Sequence, residues 1–188
     1  MEFVVVYDAC VLWSAALRDL LVRLAVARVV QAKWTDRILD ETFRSIAEKR
    51  PGLSPASLLR TRALMNGAVE DALLVVDEQL IASLRLPDPD DRHVLAAAIT
   101  AGAQSVVTFN LRDFPADLLA PHGVQAVHPD DFLLDLLEAS AGTVIRVLHE
   151  QADALRDPPR SIGDILGVLE TSGLVRSVAQ LRSQLDDR

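Results

Sequence analysis

The chain has 188 residues, half of them apolar, so it can bury the core of one ordinary domain. Its formal net charge of −8 excludes a protein that grips nucleic acid through a broad basic surface, though not a nuclease whose bound divalent metals face the phosphate. Cys10 is the only cysteine, which excludes an internal disulfide and thiolate metal clusters. Ala, Leu and Val dominate and aromatic residues are few, a composition that suits helices packed on a sheet. No N-terminal segment pairs a basic region with an apolar stretch and a small-residue cleavage site, and the apolar runs are too short to cross a bilayer. A soluble, cytoplasmic protein with no membrane contact is expected.

Glu2 to Tyr7 is a β-branched, nearly unbroken apolar run, as expected of a strand buried on both faces of a parallel sheet. It delivers Asp8 at its carboxyl end, where open α/β sheets bind ligands. Asp8 can equally cap the segment that follows, and both roles stay open. Val11 to Ala27 carries Leu17, Leu20, Leu21 and Leu24 at helical spacing, with Arg18, Asp19 and Arg23 on the other side. A second helix is expected from an N-cap at Thr35 to Arg50, closed by Pro51-Gly52. Ile38, Leu39 and Ile46 form its inner face and Glu41 lies close to that face, with an exposed salt bridge as its plain alternative role. Ser54-Pro55 opens a third helix to about Asn66, ended by Gly67. Leu73 to Val76 suits a second strand, and Asp77 to Ser83 one or two helical turns.

The stretch from Leu86 to Ile99 places Asp88, Asp90 and Asp91 at the head of a buried helix. Pro89 fits the first helical position, Asp88 the N-cap and Asp91 the first turn, and Gly102 supplies the C-terminal stop. Three carboxylates in four residues exceed what capping needs, and clustered carboxylates repel unless a cation offsets them. Adjacent residues on a helix project about 100° apart, so Asp90 and Asp91 cannot both face one ion squarely. Ser105 to Thr108 is a third strand, with Thr108, Asn110 and Asp113 at its end. Val124 to Val127 is a fourth, and Pro129 begins a helix to about Glu138.

This alternation of strand and helix predicts an α/β fold, with helices on both faces of a parallel sheet. From Ala141 only helices are expected: Thr143 to Arg156, a break at Asp157-Pro158-Pro159-Arg160, a capping box at Ser161 and Asp164, and a last helix from Leu174 to Leu185. The chain therefore divides into residues 1–140 and a helical extension, 141–188. Val144, Val147, Leu148, Leu155, Ile165, Leu166 and Leu169 stand at helical spacing there, to pack on the domain or to meet a partner.

Asp8 ends the first strand, Glu41 lies on an intervening helix, Asp91 opens a helix, and Asn110 with Asp113 follow a later strand. In a doubly wound sheet all but Glu41 sit at the same strand ends. An oxygen-lined pocket without His or Cys ligands suits Mg²⁺ or Mn²⁺ rather than zinc. Two such ions roughly 3.5–4 Å apart could activate water and stabilise the leaving oxygen of a phosphodiester. His93, His122, His128 and His149 are scattered and read as surface or structural residues. No group near Cys10 activates its thiol, and no phosphate-binding loop is present.

Val5-Val-Tyr-Asp8-Ala-Cys-Val-Leu, Ile38-Leu-Asp-Glu41, Pro87-Asp-Pro-Asp-Asp91-Arg-His-Val-Leu and Thr108-Phe-Asn110-Leu-Arg-Asp113-Phe-Pro resemble the four acidic blocks of PIN-domain nucleases, most closely those of VapC-like toxins. The resemblance covers about residues 3 to 135 and implies a three-layer α/β/α fold with a mostly parallel sheet. It also implies a Mg²⁺- or Mn²⁺-dependent endoribonuclease, the toxin of a toxin–antitoxin pair, acting on RNA, forming a homodimer and restrained by a cognate antitoxin. By position Asp8, Glu41 and Asp91 match the acidic triad that binds metal and carries catalysis, and Asn110 or Asp113 completes the site. Two departures stand out. Cys10 replaces the Asn or Ser often found two residues after the first aspartate, and Asn110 is an amide where many relatives carry a carboxylate. The alternative is a non-catalytic PIN-like module that binds RNA or a protein, its acids serving as caps.

Overall fold

The computed structural model describes residues 3–186, so Glu2 lies outside the described residues. The centre is β1 (Val4–Tyr7), in an all-parallel sheet of five strands ordered β3-β2-β1-β4-β5. The others are β2 (Gln31–Thr35), β3 (Leu73–Leu74), β4 (Ser105–Val107) and β5 (Gln125–Val127). Helices complete a three-layer α/β/α fold with a helical C-terminal part. They are α1 (Ala9–Leu12), α2 (Ala15–Val26), α3 (Asp36–Lys49), α4 (Pro55–Ala68), α5 (Glu78–Ser83), α6 (Arg92–Ala101), α7 (Ala116–Leu119), α8 (Pro129–Ala154), α9 (Ile162–Thr171) and α10 (Val175–Asp186).

The β-branched run of β1 belongs at the middle of the sheet because Val5, Val6 and Tyr7 are fully buried. Strand order reverses beside it: β2 lies on one side and β4 on the other, which opens a crevice at the carboxyl ends of β1 and β4. Tyr7 stacks on Trp34 of β2 at 6.5 Å between ring centroids and meets the edge of Phe132 at 6.3 Å.

Several elements differ from the sequence expectation. Strand β2 was not expected, because Gln-Ala-Lys-Trp-Thr is no β-branched run; pairing with both β1 and β3 makes it a strand. The helix expected over Val11 to Ala27 is two, broken at Ser14, whose ψ of 123° is extended. Arg18 satisfies the end of α1 by donating to the carbonyls of Leu12 at 2.7 Å and Trp13 at 3.3 Å. Helix α4 runs through Gly67 to Ala68, and β3 ends at Leu74, leaving Val75 92% exposed.

The two helices expected on either side of position 140 are one, α8, with non-helical backbone at Ser140 (φ −153°, ψ 43°). Beyond that kink Val144, Val147 and Leu148 are fully buried, and Ile165, Leu166 and Leu169 join the same core. Gln151 ties α8 to the start of α2 by donating to the Ala16 carbonyl at 2.9 Å. Asp130, at the head of α8, accepts from the Arg176 amide at 3.0 Å, the Ser177 amide at 2.8 Å and the Ser177 hydroxyl at 2.6 Å. It therefore caps α10 from another helix. Burial raises the Asp130 pKa, but these donors and the charge of His128 outweigh it and hold the carboxyl below its ordinary range.

Candidate functional site

Asp8 leaves the buried end of β1 and is itself only 6% exposed. Its Oδ1 accepts from the Ala9 amide at 2.6 Å, so it does cap α1. Its Oδ2 accepts from the Thr108 hydroxyl at 2.7 Å and from the Cys10 thiol at 3.0 Å. Thr108 follows β4 across the crevice, and its oxygen accepts the Asn110 amide at 2.9 Å. Neighbouring strands thus fix one carboxylate through a fully buried hydroxyl. Cys10 Sγ also accepts the Phe109 amide at 3.3 Å. Burial, then the charge of Asp8, pushes the Cys10 thiol up to about 12, so it is no nucleophile at neutral pH.

Asp91 closes the short 3₁₀ turn Pro89–Asp91 that leads into α6. Asp88 is the cap of that turn, its Oδ1 accepting the Asp90 amide at 2.9 Å, as its place before Pro89 predicts. Partial burial, with the charges of Asp8, Asp88 and Asp113, raises the Asp91 carboxyl to about 7, opposed by His93. Asp91 therefore feels the charges of Asp8 and Asp113. Asn110 is exposed, and its backbone rather than its amide side chain meets Thr108.

Glu41 lies on α3 and lines the same cleft of 810 Å³ as Asp91, Asp90, Ala9 and Cys10. It is not turned to bulk solvent. His93 Nε2 stands 3.0 Å from Glu41 Oε1, and Arg37 Nε stands 3.7 Å from the same oxygen. Carboxylates alone form the donor set of a hard divalent cation, and the repulsion on Asp91 is what such a cation offsets. Among the described residues, no three Asp, Glu, His or Cys side chains converge closely enough to hold an ion in this conformation. Two of the three acids instead have protein partners: Thr108 and Cys10 at Asp8, His93 and Arg37 at Glu41.

Two residues beyond the candidate acids touch them. Thr108 is one, and its signal in the sequence is a polar residue at the end of the strand beside β1. The other is His93, expected as a surface or structural residue, which is buried, at 1% exposure, against Glu41.

This fold and these acidic blocks define a class, and comparison agrees with it. The family model described as PIN domain matches residues 4–112, and one described as VapC50 C-terminal domain matches residues 129–183. The chain belongs to the PIN-domain family. It is similar to "Putative ribonuclease VapC50" of Mycobacterium tuberculosis (strain ATCC 25618 / H37Rv), with 48% identity over 80 residues, 41% of this chain and 47% of that protein. The chain thus spans about half the length of that relative. No solved structure matches. Among the described residues no helix is long and apolar enough to cross a membrane.

Proposed function

We propose that this protein is a metal-dependent endoribonuclease that hydrolyses RNA phosphodiester bonds, the toxin of a toxin–antitoxin pair. One observation carries the reading: buried Asp8, oriented by Thr108, and Asp91, raised by burial and then by the charge of Asp8, share the crevice at the ends of β1 and β4. Asp8, Glu41 and Asp91 would hold Mg²⁺ or Mn²⁺, and Asp113 is favoured over Asn110 as the fourth group because its charge reaches Asp91. When bound, the cation activates water and offsets charge on the leaving oxygen. Thr108 and Cys10 keep Asp8 from rotating, and the buried end of β1 excludes bulk water from its inner oxygen. The nuclease unit is residues 1–140, with 141–188 as helical extension. The toxin reading is supported by the likeness of the C-terminal helices to the VapC50 C-terminal domain, and a homodimer and a cognate antitoxin that occludes the acids belong to the same proposal.

The test is cleavage of a labelled RNA with Mg²⁺ or Mn²⁺, with Asp8→Asn and Asp91→Asn as controls. Metal-dependent cleavage lost in both variants is expected. A second reading, a non-catalytic PIN-like module, is favoured by the lack of three converging ligands among the described residues. Wild-type protein that binds RNA but never cleaves it, with either metal, selects that reading.

A further inference from the structure

The cleft that holds Asp91 and Glu41 carries charges of both signs. Asp90 and Asp91 line one side of it, and the other is a face of α3 where Arg37, Glu41, Arg44 and Glu48 recur at helical spacing. Arg37 is engaged by Glu41, and Asp40 by Arg62. Arg44 and Lys49 line the cleft and are exposed, and among the described residues neither has an acid within ion-pair distance. The Trp13 ring, on the same wall, holds Lys49 Nζ at 5.6 Å and the Arg50 guanidinium at 5.0 Å from its centroid. In a chain of net charge −8, two cations without acid partners stand in the cleft whose acids would repel a polyanion.

We infer that Arg44 and Lys49, with Trp13 steadying Lys49, form a track for the phosphate backbone of single-stranded RNA that leads the strand to Asp8 and Asp91. The inference rests on the ribonuclease reading and adds the residues that bring substrate in. Arg44 and Lys49 stand about 7 Å apart along the α3 axis and about 140° apart around it, two cations at one cleft rather than a broad basic face. Two cations beside one aromatic ring suit one flexible strand, whereas a duplex calls for contacts across a groove. The track also offsets the repulsion that the cleft acids impose on an approaching phosphate.

The experiment measures anisotropy of a labelled single-stranded 12-nucleotide RNA in EDTA across a salt series. It compares wild type, the double variant Arg44→Ala/Lys49→Ala, Lys49→Arg, and Arg60→Ala as a remote exposed control. The double variant should bind about tenfold more weakly, and its slope of log affinity against log salt should fall by about 1.4, at roughly 0.7 per lost contact. Lys49→Arg and Arg60→Ala should bind as wild type does. With Mn²⁺ the double variant should raise KM about tenfold and leave kcat within twofold. Wild type without measurable RNA affinity, or a double variant with wild-type affinity and slope, overturns the track; an acidic peptide competing better than RNA overturns it in favour of a protein ligand. RNA binding without cleavage defeats the ribonuclease reading alone, and cleavage with an intact double-variant slope defeats the track alone.

Discussion

His93 Nε2 lies 3.0 Å from Glu41 Oε1, and through that contact a buried ring on α6 holds an acid on α3 at the edge of the cleft. The distance is that of an ion pair, yet neither ring nitrogen makes a well-directed hydrogen bond. Buried polar atoms without such partners cost stability, and an apolar group of similar shape avoids that cost. His93→Leu should therefore leave the melting temperature unchanged or raised, while Mn²⁺ affinity measured by calorimetric titration falls about tenfold, because the partner that orients Glu41 is gone. Unchanged Mn²⁺ affinity would detach Glu41 from the centre.

Asp91 supplies a pH prediction. Its carboxyl is raised to about 7 from 3.8, so the folded protein holds a proton there that the unfolded chain releases. Stability from this group is complete below pH 3.8 and is lost as pH rises through 7. Asp91 is partly exposed, and solvent screening reduces the penalty to about 1 kcal/mol. In EDTA, Asp91→Asn should melt a few degrees above wild type at pH 8, and the gain should vanish at pH 4. A gain that persists at pH 4 would place its origin elsewhere.

Thr108 is the hinge pin of the acidic centre. Thr108→Val keeps the shape but removes the hydroxyl that serves Asp8 and the Asn110 amide, at a cost of about 1–3 kcal/mol. Cleavage should fall about 10- to 100-fold, and Thr108→Ser should restore most of it. In a double-mutant cycle with Asp8→Asn the two stability changes should be less than additive.

Asp130 clamps the start of α10, so Asp130→Ala should cost about 2 kcal/mol, or roughly 4–8 °C in melting temperature. Its carboxyl is held below its ordinary 3.8, so wild type keeps this stability above pH 3.8 and loses it as pH falls through the lower folded value. The gap between wild type and variant, followed by thermal denaturation, should narrow on acidification.

Truncation after Ser140 removes Val144, Val147, Leu148, Leu169, Leu174 and Leu181 from the shared core. Each such side chain contributes about 1.5–3 kcal/mol on burial, so together they exceed the net stability of a typical domain. The fragment should be insoluble on expression. A soluble, two-state fragment would show that residues 1–140 fold alone.

Much of the fold was legible because its signals are local. The apolar run of β1 ends in Asp8 wherever it packs, and Thr35, Ser54, Asp77, Asp88 and Ser161 cap their helices as their side chains dictate. Pro89 and Gly102 bracket the acidic turn and α6, and Gly102 adopts the positive φ of 60° that such a stop requires. The order of the acidic blocks and the α/β class were likewise present in the chain itself.

What the chain order did not decide was which distant residues meet. Gln31–Thr35 is a strand only because β1 and β3 flank it, and α8 crosses position 140 because its two halves pack on one core. Thr108 reaches Asp8 across 100 residues of sequence, and His93 comes from α6 to face Glu41 on α3. Such contacts depend on strand order and helix placement, which emerge from burial summed over the whole domain. No short-range pattern encodes them, because capping and periodicity act over a few residues while the crevice is made by strands far apart in the chain.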